Sequence, residues 1–507
     1  MTFSRAKILA LLMPATLLAS CSVGPNYERP SNETPEAFKE LGDWKPAEPR
    51  APESGQPWWS VYNDPVLDGL EKQVDISNQT LKASEAAYRQ AVALVGEARA
   101  GYFPSIGIDP AATRSRTPGG SFGSNGGGGN SANIRNEFSL PVDASWVIDI
   151  WGQVRRQVES ARATAQASAA DLAALRLSQQ ATLAQDYFQL RIADETKRLL
   201  DDTAAGYART LQITRNRYKV GVSARSDVAQ AQAQLDNTRS QALAIEVPRA
   251  QLEHAIAVLI GKPPAEFSLQ PAPLPYALHV PVAPAGVPSA LLERNPTVAS
   301  AERSVAAANA QIGVVIAGYF PTLTLTGSYG FSSTMLDTLI KSSNLAWTFG
   351  PQISFNLFNG GLTTAQLAAA RAGYDQTVAN YRQAVLTSFQ GVEDNLAALK
   401  ILEQQTAVQD SAVTAAQLAE KLILNEYLAG TVDFTTVVTA QATSLADQQT
   451  AYSITQSRLN ASVLLIETLG GGWDQSQLPR SSLPLMLPPY EVPDQPGANP
   501  HPGTGKP

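Results

Sequence analysis

The chain has one cysteine, Cys21, and three histidines in 507 residues. A lone cysteine excludes a disulfide within the chain, and His254, His279 and His501 stand too far apart for metal-ligand spacing. Charged residues make up only 16% and the formal charge is −7, so no basic surface points to nucleic acid. Past the N-terminus no apolar run approaches the ~18 residues that a membrane-crossing helix needs. No Ser-His-Asp set can be assembled, and the adjacent acids Asp201-Asp202 and Glu393-Asp394 fall in helical patterns whose solvated faces explain them. The glycine-rich run Gly119–Gly129 lacks a Lys-Ser or Lys-Thr partner, which removes a phosphate loop. The composition points away from an enzyme, from a bound metal or cofactor, and from a nucleic-acid partner.

What the chain has is repetition. Tyr102-Phe103-Pro104 returns as Tyr319-Phe320-Pro321, 217 positions on, and the same offset pairs Asn78 with Asn295, Glu85 with Glu302, Gly96 with Gly313 and Ala100-Gly101 with Ala317-Gly318. The offset falls to 207 between Trp151 and Phe358 and settles at 209, where Tyr218, Gly221 and Ala231-Gln232-Ala233 meet Tyr427, Gly430 and Ala440-Gln441-Ala442. One unit is written twice, and the surplus in the first copy is the Gly119–Gly129 run.

Arg5 and Lys7 precede an apolar core from Ile8 to Leu18, the shape of a secretory signal. It ends in Leu18-Ala19-Ser20-Cys21, which resembles the lipobox of bacterial lipoproteins; that resemblance implies a diacylglyceryl group on Cys21 as the new N-terminus. Ser22 beside it looks like the outer-membrane sorting pattern, and a stray thiol near a cleavage site is the alternative. Val23 to Gln56, rich in proline and charge, reads as an extended segment. Asp64-Pro65 supplies a cap and a first-turn proline, and Asn295-Pro296 repeats the signal in the second copy.

After each Tyr-Phe-Pro the period changes to two. Leu140, Val142, Ala144, Trp146, Ile148 and Ile150 alternate with Pro141, Asp143, Ser145, Val147 and Asp149. Leu323, Leu325, Tyr329 and Phe331, then Leu345, Trp347, Phe349, Ile353, Phe355 and Leu357, do the same in the second copy. Such runs match the ~9–11 residues of a tilted membrane strand, and Tyr102, Phe103, Trp151, Tyr319, Phe320 and Phe358 sit at the strand ends as an interfacial girdle would. Two soluble hairpins packed on a core are the alternative. Against it, an open edge is not tolerated in hydrocarbon and small closed barrels need about eight strands, so four lipid-facing strands require several chains to share one barrel. Parity then turns Asp143, Ser145 and Asp149 to the lumen, with a mild cation preference.

From Gly152 to Tyr218 and from Leu362 to Tyr427 there is no proline, and ~65 residues make a helical rod of roughly 100 Å. Val378, Val385, Val392 and Leu399 recur by sevens, as do Val158, Ala165 and Leu172. Many seam positions are Ala, Ser or Gln, which suits a thin wall of close-packed helices; a fibrous coiled coil is the alternative. Gly221 and Gly430 suit the left-handed residue that ends each rod, while Asp227 or Ser226, and Asp433, can cap the return helices. Each return helix runs to Gly261 or Gly470, short enough to stack end to end with a helix that precedes a hairpin.

The ordered set of lipobox, Trp58-Trp59, Asp64-Pro65, duplicated helix-hairpin-helix plan, Gly-centred turns and the Gly470-Gly471-Gly472-Trp473 ending resembles the outer membrane efflux proteins, the TolC-like outer membrane factors. The likeness covers about Cys21 to Trp473 and is greatest to the lipoprotein branch of the OprM and NodT type. The resemblance implies a mainly α chain with a small β part, four strands per chain closing as a homotrimer into an outer-membrane barrel continued by a periplasmic α-helical barrel. It implies a periplasmic adaptor docked at the turns (Val220, Gly221, Val222, Ala429, Gly430 and Thr431), an inner-membrane RND pump, outer-membrane lipid as surroundings, and no cofactor beyond the lipid on Cys21. Some relatives carry an acid near the second turn where this chain has Thr439; the gate is therefore expected at Thr435, Val438 and Thr439, with Asp433 the nearest acid and equally a helix cap. The expected divisions are a signal peptide 1–20, an extended segment 21–63, a first repeat 64–261 (hairpin 101–150, long helix about 152–217, turn 218–222), a Pro-rich equatorial linker 262–288, a second repeat 289–470 (hairpin 318–358, long helix about 362–426, turn 427–432) and a tail 471–507. The expected function is a passive efflux conduit for small molecules. A duct for secreted proteins, and a lipid-anchored coiled-coil scaffold without a pore, are the competing readings.

Overall fold

The computed structural model describes residues 22–32, 34–41, 57–117, 133–274 and 293–479. The signal peptide, Cys21, the Gly119–Gly129 run, linker residues 275–288 and the tail from 480 lie outside the described residues.

Helix α1 (Pro65–Ser77) begins where Asp64 accepts the amides of Val66 and Leu67 at 2.8 and 3.2 Å. Asn78 ends it and caps α2 (Gln79–Ala100) by accepting the Leu81 amide at 3.0 Å. The second copy starts with α6 (Pro296–Ala317), capped by Asn295 through the amides of Thr297 and Val298 at 2.9 and 3.3 Å. Both α2 and α6 have 22 residues and stop one residue before Tyr-Phe-Pro.

The first hairpin consists of β1 (Ser105–Ile108), β2 (Ala111–Thr117) and β3 (Asn133–Ile148); the second consists of β4 (Thr322–Ser333) and β5 (Leu345–Ser354). β1 and β2 are one arm: the register Ile108 to Val142 continues as Ala111 to Ser139 across Pro110, which has no amide to donate. All pairs are antiparallel in the order β1/β2, β3, β4, β5, so each chain contributes four strand positions to one sheet.

The rods are α3 (Gln153–Lys219) and α7 (Leu362–Ala429), of 67 and 68 residues. The heptad positions Val385, Val392 and Leu399 of α7 are buried against Val298, Val305 and Leu465. α3 packs along α2 and α6 on the sheet side and along α8 (Phe434–Thr468), α4 (Arg225–Ala244) and α5 (Glu246–Leu259) farther away. Ala163, Ala165, Ala167, Ala170, Ala181 and Ala184 are buried in α3, the thin seam expected of neighbouring backbones in close approach. The first return helix is broken at Ile245, three residues before Pro248, whereas α8 has no proline and is unbroken.

Return helices meet hairpin helices end to end, twice. Asn78 Nδ2 donates to the Leu259 carbonyl at 2.8 Å and Ser77 Oγ to that of Ile260 at 2.6 Å. In the second copy Asn295 Nδ2 donates to the Thr468 carbonyl at 3.0 Å. At these junctions Gly261 and Gly470 have φ of +69° and +92°, and a Cβ on them would fall 2.3 Å from the Ser77 carbonyl oxygen and 1.9 Å from that of Arg294.

Two extended segments bind the wall. Residues 22–32 and 34–41 run down it: Arg156 donates to the carbonyls of Val23 and Gly24 and to Asn26, Asn309 to the Pro25 carbonyl, Tyr27 to Glu302 and Arg29 to Tyr381. At its end Glu393 accepts the amides of Lys39 and Glu40 at 2.7 and 2.9 Å, so Glu393 holds this strap and does more than solvate a helix face. Residues 267–274 cross α3 and α5 over a charged cluster. Asp194 and Glu195 accept the amides of Ala272 and Leu274, Glu253 that of Leu269, and Arg191 and Arg249 donate to the carbonyls of Gln270 and Leu269.

Gly470→Ala is expected to lower the melting temperature of the folded protein by an amount equivalent to at least ~1–2 kcal/mol, because a left-handed backbone and a carbonyl clash coincide; Gly206→Ala, inside α3 with open space around it, is the contrasting control and should hold or raise the melting temperature. Glu71 generates a pH prediction. Both its oxygens are buried with no partner among the described residues. Burial first, then Asp75 and Asp68, pushes its pKa well above the ordinary carboxyl value. Stability from the protonated form is complete below about pH 4.5 and is lost as pH rises through the raised value, by up to ~1.4 kcal/mol per unit. Glu71→Gln should flatten the fall in melting temperature between pH 5 and pH 8 and be the more stable protein at pH 8.

Candidate functional site

The sheet separates two chemistries by register alone. Directly paired residues share a face, and one face carries Ser105, Gly107, Asp143, Ser145, Thr326, Ser328 and Thr348. These line one concave groove together with Asp109, whose amide donates to the Pro141 carbonyl at 3.3 Å. The other face carries Ile106, Val142, Trp146, Leu323, Leu325, Tyr329, Trp347, Phe349 and Ile353. Nothing among the described residues covers it: Trp347 is 72% and Phe349 70% exposed. An apolar surface of this extent requires a partner that is itself apolar.

The edges are the second feature. β1/β2 pairs only with β3, and β5 only with β4, so each outer strand leaves one row of amides and carbonyls unpaired within the described chain. At the base of the sheet Trp151 stacks on Phe320 with centroids 4.6 Å apart and donates Nε1–H to the Pro321 carbonyl at 2.8 Å, tying one hairpin to the other. Ser22 lies there too, against Gly152, with the Val23 amide on the Trp151 carbonyl at 3.0 Å.

Asp143 and Ser145 lie on the groove face. Asp149 does not belong with them. β3 ends at Ile148, and Asp149 turns to accept the amides of Val154 and Arg155 at 3.1 and 3.0 Å while pairing with the Arg155 guanidinium at 3.4 Å. It caps α3 and its charge is matched, so counting alternation past the strand's end misassigned it. Asp109 takes its place in the groove, and the signal that could have found it is Pro110, which marks a break in an otherwise continuous arm.

At the far end both rods close with one motif. The Val222 amide donates to the Arg217 carbonyl at 2.9 Å and the Thr431 amide to that of Glu426 at 3.0 Å, around Gly221 and Gly430 at φ of +79° and +82°. Val220, Gly221, Val222, Ala429, Gly430 and Thr431 are all exposed here. Asp433 accepts the Thr436 amide and hydroxyl at 2.9 Å each, which hold its carboxyl below the usual range, so it is the cap of α8. Thr435 and Thr439 lie one turn apart on an exposed face, Thr439 donating to the Thr435 carbonyl at 3.0 Å, and Val438 is half-buried beside the Tyr427 and Phe434 cluster.

A lock that no periodicity announces joins the two turns. The Arg217 guanidinium lies 4.8 Å over the Tyr427 ring and donates to the Leu428 carbonyl at 3.0 Å, and the hydroxyls of Tyr427 and Ser223 are 2.9 Å apart. Tyr218 and Tyr427 occupy equivalent repeat positions, yet only Tyr427 is buried; the difference in their preceding residues, Arg217 and Glu426, was the available signal.

The model of the outer membrane efflux protein family matches residues 70–262 and 287–471. The probable efflux pump outer membrane protein TtgC of Pseudomonas putida is 29% identical over 474 residues, 92% of this chain and 96% of its own. The pyoverdine export outer membrane protein OpmQ of Pseudomonas aeruginosa is 30% identical over 477 residues, 93% of this chain and 98% of its own. The solved outer-membrane channel OprN is 28% identical with a TM-score of 0.82, over 89% of this chain and 100% of that one.

If the groove is a conducting lumen, Asp143→Asn should shift the reversal potential under a salt gradient toward anions, while Asp149→Asn, whose charge is already matched, should leave it close to wild type. Equal reversal potentials for wild type and Asp143→Asn would remove the groove from the ion path.

Proposed function

We infer from this geometry that the chain, which belongs to the outer membrane efflux protein family, is one third of a trimeric duct that carries small molecules across the outer membrane without chemical change. It is an outer membrane efflux protein by family. The trimer is the reading that one observation carries: a four-strand sheet, apolar on one face and polar on the other, with both edges free among the described residues. Three copies bring twelve strands, above the ~8 needed for a closed barrel, and every lipid-facing edge then has a partner. The polar groove becomes the lumen and the uncovered face meets lipid.

The long helices leave the barrel as four columns per chain: α2 stacked on α5, α3, α6 stacked on α8, and α7. Three copies make a helical tube below the barrel. Its far end carries the exposed turns at Gly221 and Gly430, which suit a periplasmic adaptor that couples the duct to an inner-membrane RND pump. Selectivity for cargo then belongs to the pump. The lipid on Cys21 fits the same arrangement. Ser22, its neighbour, lies at the sheet base beside Trp151, where an acyl chain on the preceding residue enters the inner leaflet. A duct for secreted proteins uses the same tube and is separated by its partner pump. A non-channel scaffold leaves the uncovered face and free edges without purpose.

Purified in mild detergent, the protein should run as a heat-modifiable trimer and open discrete channels in planar bilayers; a monomer that inserts no channel overturns this reading. The turn end holds the closure in it. Replacing both Thr435 and Thr439 with glycine should raise single-channel conductance severalfold, and an unchanged resting value would put the constriction elsewhere.

A further inference from the structure

We propose that Arg114 and Arg116 form a docking site on the outward face of the barrel for the phosphate groups of outer-leaflet glycolipid, one such site on each chain. The register carries the argument. Ala112 pairs with Phe138, Arg114 with Asn136 and Arg116 with Ile134, so both arginines share the face of Leu140, Val142, Trp146 and Ile148, not the face of the groove. The inward positions at this level are Thr113, Ser115, Arg135 and Glu137.

Height along the strand gives the site its chemistry. The uninterrupted apolar run on β3 starts at Ile148, beside the Trp151 and Phe320 stack, and ends at Phe138. At ~3.3 Å per residue and a tilt of about 40°, this run rises roughly 25 Å, the height of the apolar band of an outer-membrane barrel. Asn136 is the next outward residue above Phe138, and Arg114 stands opposite it. The two guanidinium groups therefore meet the outer leaflet where hydrocarbon gives way to headgroups. They are exposed, and no acidic side chain among the described residues forms an ion pair with either. The outward residues around them, Ala112, Ile134, Asn136, Phe138 and Ser333, include no acid. Guanidinium forks complement phosphate bidentately, and two of them spaced i, i+2 on one strand face lie roughly 7 Å apart along it. The acyl chains of a phosphorylated glycolipid fall alongside Phe138, Leu140 and Val142 below. A phosphate on a lipid is thus favoured over free phosphate, which has no use for that apolar surface.

The proposal rests on the lipid-facing reading of this sheet, and the two fail differently. Without membrane insertion there is no trimeric channel at all, whereas failure of the glycolipid site leaves channel and trimer intact. The test is native mass spectrometry of the detergent-purified, full-length trimer titrated with bis-phosphorylated lipid A, dephosphorylated lipid A, phosphatidylethanolamine and inorganic pyrophosphate. Wild type should bind the phosphorylated glycolipid at least tenfold more tightly than its dephosphorylated form, and pyrophosphate should not displace it. The pair Arg114→Gln and Arg116→Gln should lose that preference. The pair Arg114→Lys and Arg116→Lys should keep most of it, and Arg135→Gln, on the opposite face, should keep all of it. Equal binding of both lipid A forms, displacement by pyrophosphate, or an equal loss in Arg135→Gln would overturn the proposal. So would dissociation of the Gln pair into monomers in lipid-free detergent while the Lys pair stays trimeric, since that assigns the arginines to a contact between copies.

Discussion

A backbone amide in hydrocarbon has no water to turn to, and from this one constraint most of the molecule follows. Among the described residues a single chain offers four strand positions with two free edges and one uncovered apolar face. Such a sheet is an aggregation hazard in water and inadmissible in lipid until its edges are joined. Closure by copies resolves both at once and leaves the helices little choice. Each hairpin returns to the same base, where Trp151 and Phe320 lock the two together, so the four columns of one chain must descend side by side from one arc of the barrel.

A wall one helix thick has no deep core, and its cohesion comes from elsewhere. Alanine seams let backbones approach, while heptad Val and Leu positions supply discrete apolar clusters instead of one continuous core. The straps do the remaining work with charge. An extended segment crossing helices has no sheet ladder for its amides, so Asp194, Glu195 and Glu253 accept them and Arg191 and Arg249 take the carbonyls. The same arginines pair with Asp194 at 3.2 and 2.6 Å, and so the buried acids are balanced as well as bonded. Glu71 is the exception, a buried carboxyl without such a partner among the described residues.

The repeat made the plan legible. Asp64-Pro65 and Asn295-Pro296 are helix starts because a side-chain acceptor and a fixed proline φ act locally, and both appear as expected. Alternation placed Asp143 and Ser145 on one face because strand parity is local too. What escaped depended on contacts across the chain. Asp149 continues the alternating pattern by one step but belongs to the cap of α3. The strap contacts of Glu393 join residues more than 350 positions apart, and no periodicity announces them. The break at Ile245 was visible in Pro248, yet its duplicate α8 lacks that proline and invited a single uninterrupted helix for both.

Duplication also hides the difference that matters at the turn end. By offset Tyr218 and Tyr427 are the same residue, but Tyr218 is 46% exposed and Tyr427 only 3%. Tyr427 is packed on Phe434 at 5.3 Å, roofed by Arg217 and hydrogen-bonded to Ser223, so α7 and α8 are fastened to the end of α3 and its turn within one chain. A motion that rotates the second turn away from the first must strip a cation from an aromatic face and expose a buried ring. A motion that carries both turns outward as a unit breaks none of these contacts. The bonds within the chain thus make the second motion the less costly one, because they hold the two turns as a single unit at the end of the rods.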